Sequence, residues 1–199
     1  MADPTLLSRW PLPDVPEPAI AVLAAWGEPH RRYHDVRHLT ECLDAAARLG
    51  AGRAELLALW FHDAVHTNTP GADEAASAEL LRGLLTGRVA EQLVGEAVRL
   101  VLLTRHHRPD AGDRAGAAVC DADLWVLGAR PDRYAESVRD LRAEIRLDDR
   151  DWLAWRRRRL VERLAGPIYH SPAALRRERR ARANLSAELA ALPVRPGRS

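Results

Sequence analysis

The stretch Arg53–Val65, RAELLALWFHDAV, decides the fold. Its apolar residues lie on nearly every side of a helix, which predicts a buried central helix over 53–65. His62 and Asp63 follow directly after the apolar run, and buried polar groups are costly unless they are hydrogen-bonded, paired or bound to a metal. A histidine bonded to its neighbouring carboxylate or to a carbonyl would meet this requirement, so the pair alone does not identify a site.

The rest of the chain also indicates helices. Alanine, leucine, arginine and glutamate are abundant and β-branched residues are scarce, a composition that favours helices. Leu39, Leu43, Ala46 and Leu49 recur at helical spacing, and Gly50 ends that segment. We therefore predict an all-α protein. Its predicted helices cover 19–27, 38–49, 53–65, 73–85, 89–104, 117–127, 131–147, 151–165 and 172–192.

Composition limits the class of protein. The 199 residues, 47% of them hydrophobic, fit one globular domain and exclude a mainly disordered chain. The two cysteines, Cys42 and Cys120, lie far apart, which indicates neither a disulfide framework nor a thiolate zinc site and favours a cytoplasmic protein. No signal peptide and no stretch of about 20 apolar residues is apparent, so we expect no membrane partner.

Charge is unevenly distributed, and every basic residue apart from histidine is arginine. Residues 1–129 hold 12 arginines against 18 acidic residues, whereas residues 130–199 hold 18 against 10. The run Arg156–Arg159 is consecutive and therefore circles a helix, so we interpret it as a solvated surface and expect no nucleic-acid partner. Trp152 and Trp155, three residues apart, are expected to pack on the core.

Three polar segments supply candidate metal ligands. His34 and His38 lie four residues apart, on one face if a helix has begun there. Asp121 and Asp123, two apart in a short helix, face different directions, so at most one can point at a common centre. Two histidines, the aspartate after His62 and a distant aspartate form a mixed nitrogen and oxygen set. Such a set suits a divalent metal that keeps open positions, which is typical of catalytic sites.

These segments resemble the HD superfamily of metal-dependent phosphohydrolases, named for its His…His-Asp…Asp ligand order on an all-α fold. The resemblance is closest to a bacterial subfamily of small HD phosphohydrolases and covers almost the whole chain. The subfamily motifs are Tyr-His-x-x-x-His-Leu/Ile, Trp-Phe-His-Asp, Asn-Glu-x-x-Ser-Ala, Thr-x-x-His, Asp-x-Asp-Leu and Ala-Arg-x-Asn-Leu. The matching stretches are Tyr33–Leu39, Trp60–Asp63, Asp73–Ala78, Thr104–His107, Asp121–Leu124 and Ala181–Leu185.

The chain departs from the subfamily pattern at three positions. Asp73 stands where the subfamily has Asn, and His66 where it often has Tyr. Ile145 stands where Tyr follows Arg-x-Glu. None of these positions is a proposed ligand, although His66 could alter the number of metal ions or the shape of the pocket.

The resemblance implies a domain organisation and a ligand set. It implies a single HD-type helical domain over 1–199, with a metal-binding core at about 30–130 and additional C-terminal helices at about 131–192. It implies one or two divalent ions, with Mn, Mg, Co, Ni, Zn and Fe as candidates. The last ligand is assigned to Asp123 rather than Asp121 from the family pattern after the final aspartate. The implied metal ligands are His38, His62, Asp63 and Asp123.

Neighbouring residues are candidates for catalysis and substrate binding. Asp63 could bridge a second ion or orient the attacking water, and His34 and Tyr33, one turn before the first ligand histidine, could reach the substrate. Glu74 and His107 match family motifs, although an acid early in a helix and a histidine at a helix end are also favoured by the helix dipole. The catalytic candidates are Asp63, His34, Glu74 and His107, and the substrate-binding candidates are Tyr33 and His66.

The resemblance implies a phosphomonoesterase or phosphodiesterase acting on a nucleotide or a small phosphorylated metabolite. A divalent ion suits this reaction because it polarises a phosphoryl oxygen and acidifies water. One alternative is a non-catalytic HD module that binds a metal or ligand and recruits an anionic partner through its basic C-terminal part. Another is an HD-type di-iron oxygenase in which His66 or His107 helps to hold a second iron. A homo-oligomer remains open.

Overall fold

The computed structural model describes residues 4–69 and 71–193. Within these residues every regular element is helical and no β-strand occurs, which confirms the predicted all-α class. Each predicted helix appears, with ends displaced by a few residues. The α-helices are α1 (Pro4–Leu7), α2 (Glu17–Trp26), α3 (Val36–Leu49), α4 (Arg53–Phe61), α5 (Ala72–Leu85), α6 (Glu91–Leu103), α7 (Arg114–Asp123), α8 (Pro131–Glu144), α9 (Asp149–Leu164) and α10 (Pro172–Ala191), and a 3₁₀ helix covers Leu124–Gly128.

Helices α4 and α7 each end four residues earlier than predicted, at or next to a proposed ligand. Helix α4 stops at Phe61 instead of residue 65, because the Ala64 N–H bonds to the Phe61 carbonyl in a tight turn. Helix α7 stops at Asp123 instead of continuing to residue 127, and the 3₁₀ helix follows. The polar side chains therefore lie where the chain leaves a buried helix.

Helix α4 forms the centre of the main core, as the sequence predicts. The side chains from Leu57 to Phe61 are all fully buried, and α4 packs against α3, α6 and α7. The Trp26 Nε1–H donates to the Trp60 carbonyl at 2.8 Å, which joins α2 to the same core. Burial of apolar side chains on every side makes α4 the fixed support for the turn that follows it.

A smaller core forms between α9, α10 and the 3₁₀ helix. Leu160, Ile168 and Leu185 are buried there, together with Tyr169. The Tyr169 hydroxyl donates to the Leu124 carbonyl at 3.1 Å and accepts the Gly128 N–H at 2.8 Å. The C-terminal helices thereby hold the segment that directly follows Asp123.

One arginine departs from the predicted solvated surface. Arg156 is 8% exposed, and its Nε and Nη2 donate to the two carboxylate oxygens of Glu188 at 2.7 and 2.9 Å. A consecutive run circles the helix, so one member has to face the core. Trp152 is buried and stacks on Trp155 with ring centres 5.3 Å apart. Over the described part of the chain, no helix is long and apolar enough to cross a bilayer.

Candidate metal centre

Helix α3 begins two residues before His38 and fixes its direction. The Asp35 carboxylate caps the helix by accepting the N–H groups of Arg37 and His38 at 2.9 and 3.2 Å. Such a cap satisfies backbone donors that the first turn leaves free. The His38 side chain is 2% exposed and points inward from this rigid turn.

The turn after α4 carries His62 and Asp63. The His62 N–H still bonds to the Ala58 carbonyl, so its ring is held as if in the helix. His62 Nδ1 donates to the Leu59 carbonyl at 2.9 Å, which turns Nε2 toward Asp63 and Asp123. A backbone bond on one ring nitrogen is the usual way to orient a metal-binding histidine.

The four proposed ligands converge at one point. His38 Nε2 lies 3.3 Å from His62 Nε2 and 3.2 Å from Asp123 Oδ1. Asp63 Oδ2 lies 3.1 Å from His62 Nε2 and 3.9 Å from His38 Nε2. We call His38, His62, Asp63 and Asp123 the ligand cluster. Three of its members, His38, His62 and Asp123, offer nitrogen and oxygen atoms close enough together to hold a metal ion.

Cys42 also reaches this site, which the sequence analysis did not anticipate. Its sulfur lies 3.7 and 3.6 Å from the two ring nitrogens of His38, and it groups with His38, His62 and Asp123 as a potential metal-binding set. Burial raises the pKa of the Cys42 thiol well above its usual value, and the nearby carboxylates add to this. The spacing of four residues from His38 in one helix was the available signal.

His62 and the two carboxylates of the ligand cluster shift one another's pKa values. Burial alone would lower the pKa of His62, but the Asp63 and Asp123 carboxylates outweigh it and raise that pKa well above its usual value. Burial likewise opposes ionisation of the two carboxyl groups, yet the neighbouring histidines hold the pKa of Asp63 and of Asp123 below the usual range. The cluster therefore favours a bound positive charge, either a proton or a metal ion.

Arg31 joins the two loops that carry the ligands. Its side chain is fully buried, and Nη1 donates to the carbonyls of Asp63 at 2.7 Å and His34 at 3.1 Å. Nη2 donates to the Ala64 carbonyl at 3.1 Å, and Nε bonds to Glu28. These bonds fix the turn after α4 against the segment that leads into α3.

Glu144 organises a second polar group beside the ligand cluster. Its Oε2 accepts the backbone N–H groups of Arg32, Tyr33 and His34 at 2.8, 2.9 and 3.0 Å. Its Oε1 bonds to His34 Nδ1 and lies 3.0 Å from His66 Nε2. The sequence analysis gave Glu144 no role, although it ends the Arg-x-Glu segment of the family pattern.

His34 faces the ligand cluster from this second group. Its Nε2 lies 4.0 Å from Asp63 Oδ2, while its Nδ1 is held by Glu144. Burial would lower the pKa of His34, but the carboxylates of Asp63 and Glu144 outweigh it and raise that pKa. His66 packs on the His34 ring with centres 4.3 Å apart and lies farther from the ligands.

His107 occupies a strained position next to Asp123. Its φ of 52° lies in the left-handed region, which residues other than glycine seldom adopt. His107 Nε2 bonds to Asp123 Oδ2 at 2.7 Å, and its Nδ1 accepts from Arg163 Nη2 at 3.4 Å. Such strain persists where the surroundings hold a residue in place, often at functional sites.

Glu74 and Tyr33 lie at the edge of the site. The Glu74 carboxylate accepts the Gly71 N–H at 2.5 Å, the helix-start role that its position near the N-terminus of α5 also predicts. The Tyr33 ring packs on His38 with centres 5.1 Å apart. Both residues line a recess of about 180 Å³ together with Asp63, His107 and Asp123.

Asp121 faces away from the ligand cluster. Its carboxylate is fully buried and accepts the backbone N–H groups of His170 and Ser171 at 2.8 and 2.7 Å. The two aspartates thus point in different directions, and Asp123 is the one near the histidines. His170 is half-buried, and its ring contacts the His107 carbonyl.

The recess opens into a larger cleft of about 1460 Å³. Asp63, His66 and His107 line one part of it, while Arg159 and Arg163 of α9 line another. The sequence places these residues far apart in the chain, and α10, which packs against both α9 and the 3₁₀ helix, brings them together. No protein-family model, curated protein or solved structure matches this chain.

Proposed function

We propose that this protein is a divalent-metal-dependent phosphohydrolase of the HD type, which hydrolyses a phosphate ester of a nucleotide or small metabolite. The convergence of His38, His62, Asp63 and Asp123 carries the proposal. The four groups come from α3, the turn after α4 and the end of α7, and two of them, Asp63 and Asp123, line the recess.

The residues present fit a divalent cation. The carboxylates of Asp63 and Asp123 hold low pKa values and are ionised, as a metal requires. The same carboxylates raise the pKa of His62, so a cation that binds there displaces the proton from His62 Nε2. His38, His62, Asp63 and Asp123 would hold the cation. When bound, a divalent cation polarises a phosphoryl oxygen and makes water more acidic.

The surrounding side chains have separate tasks in this proposal. Asp63 orients the attacking water. Its carboxylate lines the recess, and the contact to His62 Nε2 involves only one of its oxygens, Oδ2. His34, held by Glu144 and facing Asp63, moves a proton to or from Nε2. His107 orients Asp123, and Tyr33 and His66 shape the entrance to the site.

The test combines metal binding with ester hydrolysis. Chelator-treated protein is titrated with Mn, Mg, Co, Ni, Zn and Fe(II), and release of phosphate or nitrophenol is measured from p-nitrophenyl phosphate, its diester and nucleotides. We expect turnover that requires the metal, rises with pH and falls at least about 100-fold in Asp63→Asn, since a base and water-orienting group contributes about 10²–10⁴. His62→Ala is expected to lose tight metal binding.

Asp44→Asn provides the matched control, because Asp44 is an exposed acid of α3 whose carboxylate pairs with Arg9. It should keep both metal and turnover. A wild-type protein that binds metal but shows no turnover above the Asp63→Asn background would replace this proposal with a binding module. Two irons per chain and oxygen consumption would replace it with the oxygenase.

A further inference from the structure

We infer that the arginine end of the cleft, formed by Arg108, Arg159 and Arg163, binds a second anionic group of the substrate. The inference rests on the proposed function for the first group, the ester at the ligand cluster. It narrows the substrate class to phosphate esters that carry a further phosphate, such as a nucleoside diphosphate.

Arg163 lies in an unusual position for a cation. The Arg163 side chain is partly buried, and its Nη2 lies 3.4 Å from His107 Nδ1. In residues 4–69 and 71–193, no carboxylate forms an ion pair with it, whereas Arg156 of the same helix pairs with Glu188. Burial lowers the pKa of Arg163, Asp123 and Cys120 oppose that effect, and the charges of Arg159 and Arg108 lower the pKa further.

Arg159 adds a second charge at the same end of the cleft. Its Nη1 lies 3.3 Å from Glu162 Oε2, and Glu162 also lies 3.9 Å from Arg158. One exposed carboxylate is therefore shared by two arginines. The guanidinium of Arg159 also lies over the Trp155 ring, which lines the cleft. At this end of the cleft, the arginine side chains outnumber the carboxylates that pair with them.

The distance to the ligand cluster sets the kind of ligand. A single imidazole ring, that of His107, separates Arg163 from Asp123. A ligand whose ester lies at the cluster would place an adjacent phosphate near the arginine end. Guanidinium groups suit this partner, because their donors match phosphate oxygens in pairs. A cleft of about 1460 Å³ exceeds the space that a simple monoester needs.

The first experiment does not depend on hydrolysis. Protein freed of metal on a chelating resin is titrated with inorganic pyrophosphate by calorimetry, at two salt concentrations. We expect wild-type binding that weakens at least tenfold in Arg163→Gln and in Arg159→Gln. Arg158→Gln is the matched control, because Arg158 neighbours Arg159 in sequence, approaches the same Glu162 and does not line the cleft. It should bind pyrophosphate like the wild type.

Arg159 is 44% exposed, so its variant tests the inference even if Arg163→Gln folds poorly. Wild-type affinity in Arg159→Gln, or equal weakening in Arg158→Gln, would overturn the inference. A single-stranded oligonucleotide that binds more tightly than pyrophosphate, and whose binding is lost when salt is added, would also overturn the inference. That result would indicate a nucleic-acid site.

The second experiment compares substrates with the metal-loaded protein. Arg159→Gln should lower kcat/KM at least tenfold for a nucleoside diphosphate and leave it within twofold for the monophosphate. An equal loss for both would place the arginines on the reacting phosphate and overturn the inference. If no ester is hydrolysed but the pyrophosphate result holds, the proposed reaction fails while the anion site stands.

Discussion

The two ends of the cleft carry opposite excesses of charge. At the ligand cluster, two carboxylates and two imidazole rings face one another at 3.1–3.9 Å. At the arginine end, Arg159 lies 3.3 Å from Glu162, and the charges of Arg159 and Arg108 act on Arg163. The chain does not pair the two ends directly, because the His107 ring lies between Asp123 and Arg163.

Other arginines of this half of the chain do pair. Arg156 binds Glu188 through two bonds, and Arg133 binds Glu41 through two bonds at 2.7 and 2.9 Å. Direct pairing is therefore available to this fold, and among the described residues Arg163 does not use it. Uncompensated charges held apart at a cleft are typical of sites whose ligands supply the missing charge.

The largest expected effect is a difference in metal binding between variants of the two aspartates of α7. Asp123→Ala should weaken divalent-ion binding by more than about 100-fold, because even residues behind the ligands cost about 10–100-fold. Asp121→Ala should keep the metal but lower the free energy of unfolding by about 1–3 kcal/mol, since two buried N–H groups lose their acceptor.

Metal analysis after dialysis and urea denaturation of the metal-free proteins measure these two effects separately. Loss of metal in Asp121→Ala with retention in Asp123→Ala would exchange the two roles. The ligand cluster would then contain Asp121 in place of Asp123.

The positions of the proposed ligands show how much of the candidate site a sequence can predict. The apolar run before His62 predicts burial, the short spacing of Asp121 and Asp123 predicts opposite directions, and both features depend on local geometry. The resemblance then selects His38 and Asp123. The first two inferences need only the helical period and the cost of a buried polar group, whereas the choice of His38 and Asp123 depends on the resemblance.

The other end of the cleft depends on packing between distant helices. Glu144 reaches His34 across 110 positions of the chain, and Arg163 reaches His107 across 56. No local pattern states which face of α8 or α9 meets the cluster. The arginine-rich composition also hides Arg163, because the same residue type forms the solvated surface and the buried pair with Glu188.

The second prediction compares two carboxylates. Glu188 pairs with the buried Arg156, whereas Glu162 is shared by the exposed Arg158 and Arg159. Glu188→Gln should lower the free energy of unfolding by up to about 3 kcal/mol, because it leaves the buried Arg156 charge without its partner. Glu162→Gln, at an exposed position, should change it by no more than about 1 kcal/mol. Urea denaturation of both variants measures the difference, and metal content should not change in either. Equal stability losses would mean that burial does not separate the two pairs.

The smallest expected effect concerns Asp113, which connects the start of α7 to α6. Its carboxylate accepts the Gly116 N–H at 2.8 Å and pairs with Arg99, and these bonds lower the pKa of Asp113. Asp113→Ala should cost about 1 kcal/mol through loss of the cap, whereas Asp113→Asn keeps a capping oxygen and should cost less.

The pH dependence of this difference isolates the charge of Asp113. Because folding depresses its pKa, the ionised carboxylate stabilises the protein fully above the unfolded value of about 3.9, and the stabilisation disappears as the pH falls through the lower folded value. The gap in unfolding free energy between wild type and Asp113→Asn should therefore be constant from about pH 6 to 7 and shrink below about pH 4. A gap that stayed constant down to pH 3 would show that the Arg99 pair contributes nothing through charge. Helix α7 would then be held at its start by the cap alone, and the orientation of Asp123 would depend on the packing of α7 and the 3₁₀ helix instead.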